Sequence, residues 1–186
     1  MNSWHLKRAV QSLRRGDLIA YPTESVFGLG CDPYNPDAVA DILSVKRRAA
    51  GQGLILLGSS VVQFTPFLDH VDAITRQMMD ATWPGPVTWV VPCSSHVPGW
   101  LRSEDGTVAI RITAHPLAAA LCRAFGDAIV STSANLRGRR PARSELQVRL
   151  RLTGVDLDYI LPGATGNGRR PSEIRDARTN KVLRPG

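Results

Sequence analysis

Hydrophobic and polar positions along this 186-residue chain switch repeatedly between a helical and an extended rhythm. An amphipathic stretch predicts a helix from Trp4 to Arg15, and the apolar run LIAY from Leu18 predicts a strand. A second helix is expected over Pro36 to Arg47, with Asn35 as its N-cap and Pro36 in its first position, where each residue type is favoured. The uninterrupted LILL from Leu54 reads as a buried strand, Ala73 to Ala81 as a helix, and VTWVV from Val87 and TVAIRI from Thr107 as strands. A helix is expected from His115 to Phe125, a strand from Ala128 to Ser131, a helix from Ser144 to Leu152 and a strand YIL from Tyr159. The closing IRDARTNKVLR predicts a hairpin that turns at Thr179 and Asn180. Alternation of the two element types, with no linker, repeat or low-complexity segment, predicts a mixed α/β fold in one domain over residues 1–186.

Four segments carry more polar, Pro or Gly residues than turns require: YPTESVFGLGCDP, VKRRAAGQG, TWPGPVT and STSAN. In an open α/β sheet, loops at the carboxyl ends of strands converge on a crevice where ligands bind. YPTES and STSAN each follow a predicted strand, so the two are expected to face one another. Lys46 and Arg48 in VKRR have two readings: cations at the negative end of a helix dipole, or a pair reaching from the helix end to hold phosphates. TWPGPVT is either a rigid entry into the strand at Val87 or a wall of a site.

Charge changes the picture because of where it lies. Residues 1–136 hold 11 Lys or Arg and 11 Asp or Glu, whereas residues 137–186 hold 12 and 5, so the net +7 belongs to the last 50 residues. A localised basic surface attracts polyanions, nucleic acid first among them, and this reading is preferred to coding bias, the alternative raised by 20 of the 23 basic residues being Arg. No apolar run approaches the roughly 20 residues of a membrane span, and the N-terminus lacks a signal-peptide core, so a soluble cytoplasmic protein is expected.

Several chemistries are poorly supported. Cys31, Cys93 and Cys122 are odd in number and free of any C-x-x-C pattern, which argues for reduced thiols rather than disulfides or a zinc site. His5, His70, His96 and His115 form no metal-ligand pair and no triad order around a G-x-S-x-G. PGATGNGRRPS from Pro162 has neither the Walker ending nor the Rossmann spacing. No resident metal site is expected, and any ATP would be held by an unusual site.

In combination, YPTESVFGLGCDP, the K-x-R of Lys46 and Arg48 followed by GLILL, WPGPVT, VAIRI, STSAN and PSEIRDA resemble the YrdC family over nearly the whole chain. The likeness is greatest to the short bacterial TsaC-type threonylcarbamoyl-AMP synthases, because the chain ends just after PSEIRD. The resemblance implies a twisted mixed β-sheet with flanking helices and a concave, positively charged groove. It implies a nucleotidyltransferase that joins L-threonine, bicarbonate (or carbon dioxide) and ATP, with Mg²⁺ accompanying ATP, into L-threonylcarbamoyladenylate and pyrophosphate. A separate transferase complex would then place the threonylcarbamoyl group on tRNA adenosine next to the anticodon. By resemblance, Lys46 and Arg48 contact phosphates and Ser133 and Asn135 serve the nucleotide site. Thr23 and Thr132 belong to the threonine and phosphate ends of the groove, Arg111 offers a carboxylate or phosphate partner, and Ser172 lies near the nucleotide.

The family's usual K-x-R-P-x-x-K-G reads KRRAAGQG here, so Ala49 stands for proline and Gln52 for lysine, a missing cation that would weaken ATP binding. Two other readings stay open. One is a double-stranded RNA or tRNA-binding module of RNA or ribosome maturation with little synthase activity, whose affinity would fall steeply with salt. The scarcity of aromatics among the arginines argues against base stacking on single strands but not against backbone binding. The other is a carbamoyl adenylate made for a different acceptor, as in hydrogenase-maturation carbamoyltransferases, which carry accessory domains.

Overall fold

A computed structural model of the chain describes residues 3–168 and 170–186. In chain order the elements are α1 (Ser3–Arg15), β1 (Ile19–Pro22), β2 (Phe27–Cys31), α2 (Pro36–Lys46), β3 (Ile55–Gly58), α3 (Ala73–Asp80), β4 (Val87–Pro92) and β5 (Thr107–Ile112). They continue with α4 (Pro116–Phe125), β6 (Ile129–Ser133), α5 (Glu145–Arg151), β7 (Tyr159–Ile160), β8 (Glu173–Asp176) and β9 (Val182–Arg184). A short 3₁₀ turn, Val61–Phe64, follows β3. The strands form one mixed sheet in the order β7-β1-β2-β6-β3-β5-β4-β8-β9.

Period-two alternation sends neighbouring side chains to opposite faces, and the buried residues divide accordingly. Ala20, Leu56 and Val130 enter one core with α2, whereas Ile19, Leu57 and Ile129 enter a second core against α1 and α4. Burial on both faces explains why LILL reads as an unbroken apolar run. The Asn35 cap is present: its Oδ1 accepts from the N–H groups of Asp37 and Ala38, each at 3.1 Å. His115 caps α4, its Nδ1 accepting from Ala118 N–H at 3.4 Å while its Nε2 meets Ala164 O at 3.1 Å, so this histidine is structural. All three cysteines are free, and Cys31 and Cys122 are buried.

One element differs from the expectation. FGLGC, read in the sequence as loop, is β2, antiparallel to β1 on one side and β6 on the other. Its two glycines removed the side-chain pattern that marks a strand, and they are there because Tyr21 of β1 lies across them. A Cβ at Gly28 would sit 3.0 Å from the Tyr21 ring, and one at Gly30 would sit 2.9 Å from the ring and 2.5 Å from Val130 O. The bare strand lets the Tyr21 hydroxyl cross β2 and donate to Ser131 Oγ at 2.7 Å. TWPGPVT resolves as the entry to β4: Trp83 is buried, its Nε1 donates to Val87 O at 2.7 Å, and none of residues 82–86 lines the cavity described next.

Candidate active site

Beside the α1–α4 core, the same sheet face floors an open cavity of about 840 Å³, within the range of roughly 300–1,000 Å³ typical of small-ligand sites. Register sets its floor. Ile55 of β3 pairs with Ser131 of β6 on one side and Ala109 of β5 on the other, and all three face the cavity. The turn after β1 contributes Thr23 and Ser25, and β6 contributes Thr132 and Ser133. YPTES and STSAN therefore meet across one space, although the space lies over the sheet face and not only at the strand ends.

The walls are cationic. Arg48 and Arg111 come from the region of α2 and from β5, and Arg140, Arg143 and Arg151 from the basic loop and α5. Arg170 and Arg184 come from the C-terminal segment. Guanidinium groups keep their charge at any physiological pH, and among the described residues no carboxylate lines the cavity. Such an interior attracts a polyanion with several negative oxygens. Ser172 stands at the same wall, its Oγ accepting from Thr88 Oγ1 at 3.2 Å.

Of the eight residues singled out in the sequence, Thr23, Arg48, Arg111, Thr132, Ser133 and Ser172 line the cavity. Lys46 and Asn135 stand one layer behind it. The spacing of the K-x-R pair has a local cause: Arg47, at the end of α2, takes a left-handed backbone (φ 45°, ψ 51°). The two N–H groups that close this turn are those of Arg47, to Ser44 O, and of Arg48, to Leu43 O, and the turn separates Lys46 from Arg48. The Lys46 ammonium donates to Ser133 O (2.9 Å), Asn135 O (2.8 Å) and Asn135 Oδ1 (2.9 Å). Its three donors are thereby spent on STSAN, and the contact ties the end of α2 to the end of β6. Burial, and secondly the nearby Arg48, pull the Lys46 pKa down to about 8.

Asn135 is likewise engaged. Its Nδ2 donates to Leu136 O (2.9 Å) and Arg139 O (2.6 Å), and its Oδ1 accepts from Ser133 Oγ at 2.5 Å. Lys46 and Asn135 thus shape the Ser133 corner, while Thr132 and Ser133 face the cavity. Arg48 donates to Gln52 O, so the residue standing for the family lysine anchors Arg48 through its backbone and itself lines the cavity.

Ser131 and five of the arginines were not singled out individually. Ser131 sits inside an apolar strand and carries no sequence signal of its own. The arginines had one, the charge excess of residues 137–186. Among the described residues there is no group of three or more His, Cys, Asp or Glu arranged to hold a metal ion, and no helix is long and apolar enough to cross a membrane.

Known proteins share this sequence pattern and fold. The sequence model of the Sua5/YciO/YrdC family, described as telomere recombination, matches residues 11–186. A threonylcarbamoyl-AMP synthase of Nitrosococcus oceani is 53% identical over 182 residues, 98% of each chain. The crystal structure of P. abyssi Sua5 complexed with L-threonine superposes with a TM-score of 0.89 at 31% identity, covering all of this chain and 55% of Sua5. The crystal structure of E. coli YciO does so with a TM-score of 0.85 at 28% identity, covering all of this chain and 90% of YciO. Near-complete coverage by the family model and by a relative sharing half its residues means that this chain belongs to the Sua5/YciO/YrdC family.

Proposed function

We propose that this protein is a threonylcarbamoyl-AMP synthase, making L-threonylcarbamoyladenylate and pyrophosphate from L-threonine, bicarbonate and ATP. The observation that carries the reading is a cavity walled by arginines and floored by Ser and Thr hydroxyls, in a chain 53% identical along 98% of its length to a protein of that name. Threonine's amine takes up the carbon of bicarbonate, with loss of water, to give a carbamate. A carbamate oxygen then bonds to the α-phosphorus of ATP as the bond to pyrophosphate breaks. Negative charge gathered on the phosphates is the main barrier, and fixed cations with preorganised donors lower it. Arg48, Thr132 and Ser133 are the residues proposed to meet phosphate oxygens, Thr23 the threonine, and Ser172 the nucleotide. Lys46 and Asn135 hold Ser133 in place.

The cavity wall offers Mg²⁺ no carboxylate among the described residues. The donor set therefore fits a cation brought by ATP, which the Ser and Thr hydroxyls lining the cavity would help to hold. When bound, it would share phosphate charge with the arginines. The product would supply threonylcarbamoyl groups for tRNA adenosine modification through a separate transferase complex. The identity to synthases along the whole chain favours this reading over an RNA-binding module without activity.

Pyrophosphate release from ATP, Mg²⁺ and bicarbonate should depend on added L-threonine and not on RNA; release indifferent to threonine would sink the proposal. The Lys46 pKa adds a pH signature. Burial disfavours its charged form, so the ammonium is present below pH about 8 in the folded protein and is lost above it, whereas an unfolded lysine keeps its proton to about 10.5. The unfolded chain binds the extra proton between these values, so this group does not lower folding stability as pH rises. ATP affinity, measured by calorimetry from pH 7 to 9.5, should therefore weaken as pH passes about 8 while the fold persists. A flat profile would remove Lys46 from the site's electrostatics.

A further inference from the structure

We propose, building on the synthase reading above, that Glu24 is a positioning residue whose carboxylate aims the Arg111 guanidinium at an oxyanion of the substrate in the cavity. Nothing in the sequence motifs singled Glu24 out for this. Arg111 lies in β5 between Ile110 and Ile112, which face the opposite core, and it is only 8% exposed. A guanidinium this deep cannot shed its charge and needs a fixed counter-charge. Arg184, on the cavity wall, is a like charge near enough to Arg111 that its own pKa is lowered, first by burial and then by Arg111.

The carboxylate of Glu24 supplies the counter-charge. Its Oε2 is 3.4 Å from Arg111 Nη1, while Oε1 accepts from Thr113 Oγ1 at 2.8 Å and from Ala114 N–H at 3.0 Å. Burial alone would raise the Glu24 pKa, but Arg111 and these donors outweigh it and hold the group ionised below the ordinary range.

The backbone beneath Glu24 is clamped as well. Gly166 and Gly168 donate to Thr23 O and Glu24 O, each at 2.9 Å. A Cβ on either glycine would come within 2.7 or 2.8 Å of Glu24 O. This close approach is the use of the glycine-rich PGATGNG segment. The carboxylate touches Arg111 through one charge contact and not a two-pronged fork. Glu24 Oε2 and Arg111 Nε are both buried without a hydrogen-bond partner. The guanidinium is therefore steered but not saturated: Nε is buried, and the Nη donors of this cavity-lining residue are left to an oxyanion, either the carboxylate of threonine or a phosphate of ATP.

The test is binding of Mg²⁺–ATP and of L-threonine, each by calorimetry, to the wild type, E24Q, R111A and the double variant. Gln keeps the shape of Glu and an acceptor for Thr113 and Ala114 but not the charge. E24Q should weaken one of the two ligands by about tenfold, threonine if Arg111 meets a carboxylate and ATP if it meets a phosphate. In the R111A background the same change should add less than about twofold, because the two residues act as one unit. Equal loss in both backgrounds, or no loss for either ligand, overturns the proposal. If E24Q does not fold, T113V carries the test: it removes one tether of the carboxylate and should weaken the same ligand that R111A weakens, and unchanged binding overturns the proposal. A wild type that binds neither ligand overturns the synthase reading itself and this proposal with it.

Discussion

Replacing Lys46 with alanine should slow threonylcarbamoyladenylate formation by roughly a hundredfold or more, the loss expected when preorganised transition-state donors are disturbed. The reason is indirect. Lys46 joins Ser133 O, Asn135 O and Asn135 Oδ1 at 2.8–2.9 Å, and without it the corner that presents Thr132 and Ser133 loses its anchor. Losing the ammonium's bond to Asn135 O should also cost about 1–3 kcal/mol of stability. Lys46→Arg should not restore activity, because a planar fork cannot replace a compact ammonium among converging acceptors. Steady-state rates with urea unfolding of the same variants check both parts. Full activity in K46A would show that Ser133 is positioned by β6 alone.

Gly30→Ala should be the most damaging single methyl in the sheet. The added Cβ would sit 2.5 Å from Val130 O, a backbone atom of the paired strand, and 2.9 Å from the Tyr21 ring. The contact with Val130 O cannot be relieved by a rotamer change, so β2 and β6 must part locally. Overpacking of this kind typically costs about 1–3 kcal/mol, and a backbone clash at a central strand belongs at the upper end. The displaced ring would also lose its hydrogen bond to Ser131, on the cavity floor, so ligand affinity should fall along with stability. Urea midpoints and ATP titrations of G30A measure the two effects. Gly106, whose added Cβ would meet nothing within 4 Å, is the comparison site, where Gly→Ala costs only the strain of its positive φ.

These two sites also mark what the sequence made legible. Elements carried by apolar rhythm and caps were readable: the Asn35 cap, the buried β3 and the terminal hairpin all appear as the pattern implies. β2 was hidden because its identity lies in what it lacks, two side chains removed to admit Tyr21, and a missing side chain leaves no periodicity. Thr23, Arg48, Thr132 and Ser133 lie in segments legible as more polar than turns require, whereas Arg111 and Ser172 were named only through the family resemblance. Glu24 was not, because its role depends on Arg111, 87 positions away, which only the register of β5 brings beside it. The separate roles of Lys46 and Arg48 were equally invisible, since they follow from the left-handed turn at Arg47.

The most direct test of the account is the fate of bicarbonate carbon. Purified protein incubated with ATP, Mg²⁺, L-threonine and carbon-labelled bicarbonate should yield, alongside pyrophosphate, an adenylate with the mass of threonylcarbamoyl-AMP and the label in its carbamoyl group. Omitting threonine should abolish both products. Folded protein that binds ATP yet leaves the label in bicarbonate, or that releases pyrophosphate and forms a labelled adenylate without threonine, would contradict the assignment.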